Sequence, residues 1–126
     1  VGGGSTPPPG PTPTPTPTPD PGGAPCTGCE HFTGPLSGSG DYDWHPNGNY
    51  YYSSSGDGEA WLRGPAGTDF DLYLYKWSSW WGWYRVASSI SSSSNEYINY
   101  NGTSGYYVWR VESYSGSGSY DLWLNR

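Results

Sequence analysis

The chain has 126 residues, 33% of them hydrophobic and 18% aromatic, with only 13% charged and a formal net charge of −6. Its five cations, Arg63, Lys76, Arg85, Arg110 and Arg126, are scattered, so no basic cluster exists to neutralise a phosphate backbone and nucleic acid is excluded as a partner. No apolar run reaches the roughly 20 residues that cross a bilayer, and Val1-Gly2-Gly3-Gly4 has neither the basic flank nor the apolar stretch of a signal peptide, so the chain reads as mature or cut from a larger one.

Residues 1–25 read as an extended Pro/Thr/Gly-rich linker, because ten of the thirteen prolines lie between Pro7 and Pro25. From Pro11 to Pro19 proline alternates strictly with threonine. Proline fixes φ at every second residue and pushes the preceding threonine toward the extended region, which gives a stiff polyproline II spacer. Thr12, Thr14, Thr16 and Thr18 in this tract suit O-glycosylation. A spacer of this kind implies a partner domain on its N-terminal side.

Residues 26–126 read as one folded domain, since a disordered segment would carry far fewer aromatics. It opens on Cys26-Thr27-Gly28-Cys29. A secreted, oxidising setting makes the two cysteines a small disulfide loop; a thioredoxin-like redox pair would need a βαβ context, and a metal held by Cys26, Cys29 and His31 lacks a fourth ligand. Beyond Glu30 no helical periodicity occurs. Short alternating runs predict strands near 31–37, 49–55, 59–64, 69–76, 82–88, 95–100, 105–112 and 118–125. Asn47-Gly48, Asp57-Gly58, Gly64-Pro65, Asn101-Gly102 and the Gly116/Gly118 pair supply turn residues between them. The expected fold is all-β: an antiparallel two-sheet sandwich of jelly-roll type with about eight strands.

Alternation assigns the faces. Phe70, Leu72 and Leu74 are expected inward, with Asp69, Asp71, Tyr73 and Tyr75 outward; Tyr120, Leu122 and Leu124 inward, with Asp121, Trp123 and Asn125 outward. Leu36, Leu62, Val86, Ile98, Val111 and either Val108 or Trp109 complete the expected core.

Catalysis needs converging ionisable groups, and the stock is small. His45, in Asp41-Tyr42-Asp43-Trp44-His45, offers an acid and a histidine to one of many serines, but serine is too common for proximity to mean anything, so these read as polar turn residues. Asp41/Asp43, Asp57/Glu59 and Asp69/Asp71 are spaced by two and place paired carboxylates on one face of a strand. Such a pair fits Ca²⁺ only if other loops complete the six or more oxygens required, and hydrogen bonds to turn amides are the favoured reading. No cofactor is required.

The most distinctive stretch is Lys76 to Tyr84, with Trp77, Trp80, Trp81 and Trp83. A single sandwich core has room for one or two of these rings, each burying on the order of 200 Å², so the others are expected on the surface. Together with Trp44 and Tyr84 they predict an aromatic binding patch, fit to hold an insoluble protein or polysaccharide or to pack against copies of the domain.

The run Gly64-Pro65-Ala66-Gly67-Thr68-Asp69-Phe70-Asp71-Leu72-Tyr73-Leu74-Tyr75, followed by Glu96-Tyr97-Ile98, by Gly105 to Val111 and by Ser115 to Tyr120, resembles the bacterial pre-peptidase C-terminal domain over about residues 30 to 126. With the Pro-Thr spacer, the arrangement is similar to C-terminal extensions of secreted actinobacterial serine peptidases. The resemblance implies a jelly-roll-like sandwich without catalytic residues, appended to a secreted peptidase or other hydrolase that it anchors or orients on a polymer. It also marks Asp69 and Asp71 as structural or metal-binding acids, with Ca²⁺ the ion to consider. The competing expectation is a self-assembling extracellular filament subunit.

Overall fold

The computed structural model describes residues 23–126, so the Pro-Thr tract and its threonines lie outside the described residues. Those residues hold nine strands and no helix: β1 (Glu30–Leu36), β2 (Tyr42–His45), β3 (Tyr51–Ser53), β4 (Gly58–Arg63), β5 (Asp69–Ser78), β6 (Gly82–Ser89), β7 (Asn95–Tyr100), β8 (Gly105–Ser115) and β9 (Gly118–Asn125). Among them, accordingly, no helix is long and apolar enough to cross a membrane.

One sheet runs β1-β9-β4-β7 and the other β2-β8-β5-β6, with β3 also on the β8 edge and every pairing antiparallel. β2 pairs with Trp109–Glu112 and β3 with Gly105–Tyr107, so the two are halves of one edge strand. The break falls at Pro46–Asn49, where Asn47 takes a φ of 50° and the Gly48 and Asn49 amides bond back to the carbonyls of Trp44 and Pro46. Counted as one strand, they give eight strands in the order 1-8-3-6 and 2-7-4-5, the jelly-roll order. The expected fold is therefore observed. β2 itself is not signalled by the sequence, because the four-residue run Tyr42-Asp43-Trp44-His45 has no aliphatic face to announce it.

The core lies between the sheets where alternation puts it. Phe70, Leu72, Leu74, Val111, Tyr120, Leu122 and Leu124 join Phe32, Leu36, Leu62 and Ile98 in one buried cluster, with Val86 packed against it. Trp109 takes the core position. Val108 is buried too, but on the outer side of its sheet. Trp123 departs from its expected exposure. It does face outward, yet only 1% of it is accessible, because His31 stacks on it at 4.5 Å and the Arg63 guanidinium covers it at 4.7 Å. It sits in a row across the four-stranded sheet, His31 beside Trp123, Trp123 beside Trp61, Trp61 beside Tyr97. An indole needs no core when neighbouring strands supply flat partners.

His45 is no surface turn residue. It points inward from β2, fully buried, and its Nε2 lies 2.6 Å from the Tyr120 hydroxyl, which donates to Asp43 Oδ2 at 2.6 Å. Gly34 of β1 passes directly over this relay: a methyl there would stand 2.8 Å from Asp43 Oδ2 and 2.9 Å from the Tyr120 oxygen. Gly34→Ala is expected to cost about 1–3 kcal/mol by forcing these groups apart, measurable as a lower urea midpoint at unchanged slope.

Candidate binding face and carboxylate cluster

The outer face of the five-stranded sheet carries most of the remaining aromatic rings. Because β5 turns Phe70, Leu72 and Leu74 inward, Tyr73, Tyr75 and Trp77 line up outward, beside Tyr106 and Arg110 of β8 and Trp83 and Arg85 of β6. Rings meet along two adjoining stretches. In the first, Trp44 contacts Tyr42 and Tyr75, and Tyr75 contacts Tyr73, at 5.6–6.4 Å. In the second, Trp83 contacts Trp77 and Tyr50, and Tyr106 contacts Tyr50 and Tyr52, at 5.3–5.8 Å. Arg110 lies over Tyr42 and Trp44 while pairing with Glu112 at 2.9 Å, and Arg85 lies over Tyr73.

At the end of this face Ser78 pairs with Gly82, which leaves Ser79, Trp80 and Trp81 as the tip of the β5–β6 hairpin. The Ser78 hydroxyl accepts from the Trp80 and Trp81 amides at 3.1 and 3.3 Å, and Gly82 supplies a φ of 79°. Trp80 and Trp81 are consequently 74% and 78% exposed. Of the six aromatic residues expected in the patch, these two are open, Tyr84 is partly open, and Trp44, Trp77 and Trp83 are half-buried within the ring network. The core has no room for all these rings, so they lie outside it, where Trp44, Trp77 and Trp83 are covered by neighbouring rings.

The second arrangement involves acids. Asp69 and Asp71 of β5 meet Glu96 of β7, each offering an oxygen within 4.8 Å of the others. Asp71 and Glu96 are buried, and Oδ1 of Asp69 and of Asp71 has no hydrogen-bond partner. Burial, then the neighbouring Asp69 and Glu96 carboxylates, push the Asp71 carboxyl up to about 7. Glu96 is held by the Ser89 hydroxyl at 2.5 Å and by the Ser91 hydroxyl and amide at 2.8 and 3.3 Å. Glu96 was not foreseen: 25 residues separate it from Asp71, and only the β6 crossover brings it there, so no spacing in the sequence signals it.

Of the other paired acids, Asp41, Asp43 and Glu59 behave as hydrogen-bond acceptors. Asp41 takes the Ser37 amide and hydroxyl at 2.8 and 3.0 Å, and the amide bond first of all holds its carboxyl below the usual value. Glu59 takes the Tyr97 hydroxyl. Cys26 and Cys29 are joined as a disulfide with Cα atoms 5.7 Å apart, while His31 is engaged with Trp123 and Asp121. No Ser-His-Asp arrangement forms among the described residues, since His45 faces Tyr120 inside the core.

Solved structures share this architecture, two of them as follows. The pre-peptidase C-terminal domain of a collagenase from Bacillus anthracis aligns with a TM-score of 0.59 and 20% identity over 75% of this chain and 87% of its own. The fold is that of the pre-peptidase C-terminal domain. The Yersinia pseudotuberculosis-derived mitogen aligns with the same TM-score and 17% identity, over 77% of this chain and 84% of its own. No family model matches the sequence. The pre-peptidase C-terminal fold accounts for the sandwich and its strand order. At these identities it carries no residue roles, and the ring-covered face and the acids at the start of β5 stand on their own geometry.

Proposed function

We propose that this chain is a non-catalytic accessory module of a secreted hydrolase, a peptidase, and that the outer face of its five-stranded sheet holds the enzyme on an insoluble protein. The observation that carries this reading is the hairpin tip, where Trp80 and Trp81 stand 74% and 78% exposed at the end of a ring-covered face. Leaving two indoles in water costs hydrophobic free energy that a monomer has no reason to bear unless a surface covers them. The fold supports the accessory role, since the collagenase neighbour is a pre-peptidase C-terminal domain.

The texture of the face favours protein over polysaccharide. Flat sugar rings suit coplanar platforms, but the neighbouring rings here are tilted by 47–88° to one another. Tilted rings leave furrows that peptide side chains fill, and the exposed Tyr42 and Tyr52 add phenol groups that can bond peptide groups.

A pull-down on insoluble collagen, keratin, chitin and cellulose tests this with the full chain and its Trp80→Ala/Trp81→Ala variant. Each buried indole anchor contributes about 1–2 kcal/mol, so the double variant is expected to bind protein polymers at least about tenfold more weakly. Binding to chitin or cellulose alone would overturn the protein assignment. Unchanged polymer binding, with oligomers lost from light scattering, would replace anchoring by self-assembly.

A further inference from the structure

We propose that the outer face of the four-stranded sheet is the seat of the chain's own Pro-Thr tract, with Pro17 and Pro19 on the rings of Trp61 and Tyr97 and Asp20 on Arg63. The seat follows from the pairing of β4 with β7, which sets Trp61 opposite Tyr97 and Arg63 opposite Asn95. These four, with Ser91 and Glu96, line an open cleft of about 400 Å³. In the row that runs His31, Trp123, Trp61, Tyr97, the first two rings stack on each other and are buried. The last two stay open: Trp61 is half-buried and Tyr97 is 46% exposed.

The chain enters the domain at this cleft. The Gly23 carbonyl accepts from Arg63 Nη1 at 2.6 Å, and Gly23 lies so close that a methyl on it would stand 3.2 Å from that nitrogen. Arg63 is itself fixed, its guanidinium lying 4.7 Å over the Trp123 ring. Pro19 precedes Gly23 by four residues, a reach of about 12 Å at the rise of about 3.1 Å per residue of a polyproline chain. Arg63 and Trp61 lie two residues apart on β4, about 7 Å, and one strand spacing of about 5 Å separates Trp61 from Tyr97. The end of the tract therefore reaches both rings.

The chemistry matches the reach. A polyproline II chain has no internal hydrogen bonds, and aromatic-lined grooves take it by packing proline rings on aromatic faces while donors meet its bare carbonyls. The Trp61 and Tyr97 rings stand 5.5 Å apart and tilted by 45°, which makes a V-shaped furrow. Successive prolines of the Thr-Pro repeat advance by about 6 Å, close to that ring spacing. Glu59 accepts from the Tyr97 hydroxyl and so keeps that ring in place. Arg63 already donates to one carbonyl of the entering chain, and the Asn95 amide adds a second donor at the cleft. Among the described residues the ion pairs are His31–Asp121, Arg110–Glu112 and Arg126–Glu30, so none engages Arg63, and Asp20, three residues before Gly23, supplies its carboxylate. A stiff tract loses little conformational freedom on docking. Seated there, it leaves the ring-covered face of the other sheet open and fixes the side of the sandwich from which the preceding chain departs.

Nuclear Overhauser spectra of the full chain test the seat. Proline ring protons of the last Thr-Pro units are expected to show contacts to the Trp61 and Tyr97 rings and to shift upfield from lying over them. Pro17→Ser/Pro19→Ser is expected to lose both signals, whereas Pro7→Ser/Pro9→Ser, outside the seated stretch, keeps them. Tyr97→Ala, at an edge position 46% exposed, is expected to lose the upfield shifts while the amide spectrum of the sandwich is otherwise unchanged. Should that variant fail to fold, Arg63→Gln, at an exposed position, takes its place with the same expectation. Tract prolines that all resonate at one unshifted position, or upfield shifts that survive the Tyr97 and Arg63 variants, would overturn the proposal. Contacts found only between isotope-labelled and unlabelled chains in a mixed sample would overturn it as well and make a second copy the donor of the tract.

Discussion

Trp109→Ala is expected to remove about 3–5 kcal/mol of folding stability, a large part of the 5–15 kcal/mol that a domain of this size holds in total. Trp109 has no accessible surface. It projects inward from β8, the strand that pairs with β5 on one side and with both halves of the broken edge strand on the other, so the indole sits where three strands depend on it. Its Nε1 donates to the Tyr51 hydroxyl at 3.0 Å, and its ring lies 3.0 Å from where a methyl on Gly58 would stand. Collapse around a cavity there is blocked on two sides: by the β4 backbone at Gly58, and by Tyr51, which rests against Tyr107 and under Arg126. Removal of the indole also takes away the donor to the Tyr51 oxygen. Burial already pushes that hydroxyl up to about 12. Trp109→Phe keeps most of the volume and is expected to lose roughly half as much. Urea unfolding of both variants measures the ordering, and a loss under about 1 kcal/mol for Trp109→Ala would mean that the centre of the core lies elsewhere. Trp123, buried on the outer face beneath His31 and Arg63, provides a contrast. Those two covers can settle onto an alanine, so its removal costs less than that of Trp109.

The contrast between the two indoles also explains what the sequence makes legible. Alternation reads the core side correctly where it is apolar, as at Phe70, Leu72 and Leu74, because burial between sheets hides that side; it misses that Asp71 between them is buried as well, beside Glu96. It misjudges exposure where the outer side carries an aromatic ring, as at Trp123, since flat neighbours can bury that ring on an outer face. Half-burial of Trp77 and Trp83 has the same cause. The alternating runs at 69–76 and 82–88 place the β5–β6 hairpin, and with it the open Trp80 and Trp81. The acid cluster was half legible: the Asp69/Asp71 spacing is local, whereas Glu96 arrives through a crossover that only the fold specifies. His45 was misread for want of its partner, since Tyr120 lies 75 residues away.

That buried histidine leads to the second large effect, an acid sensitivity between pH 6.5 and 3. Burial pushes His45 down to about 3 from its usual 6.5, so the folded chain refuses a proton that the unfolded chain accepts. For a depressed histidine the stabilisation is complete above pH 6.5 and is lost as pH falls through the window toward 3. The slope there approaches about 1.4 kcal/mol per pH unit, or about 3 kcal/mol between pH 6.5 and 4. Other groups titrate nearby with the opposite sign. Burial raises Asp43, which reaches His45 through Tyr120, and Asp71 is pushed up to about 7; each takes a proton more readily folded than unfolded and so gains stability as pH falls. The whole-protein profile therefore mixes both signs, and the histidine share is isolated by difference. His45→Gln keeps a hydrogen-bond partner for Tyr120 but has no proton to gain. Subtracting its urea-derived stabilities from those of the wild-type chain, pH by pH, is expected to leave a difference that favours the wild type near neutrality and shrinks by about one proton's worth per pH unit on acidification. Parallel profiles for the two proteins would show that His45 is protonated in the fold, and the relay through Tyr120 to Asp43 would then have to carry a buried ion pair instead of a neutral chain of hydrogen bonds.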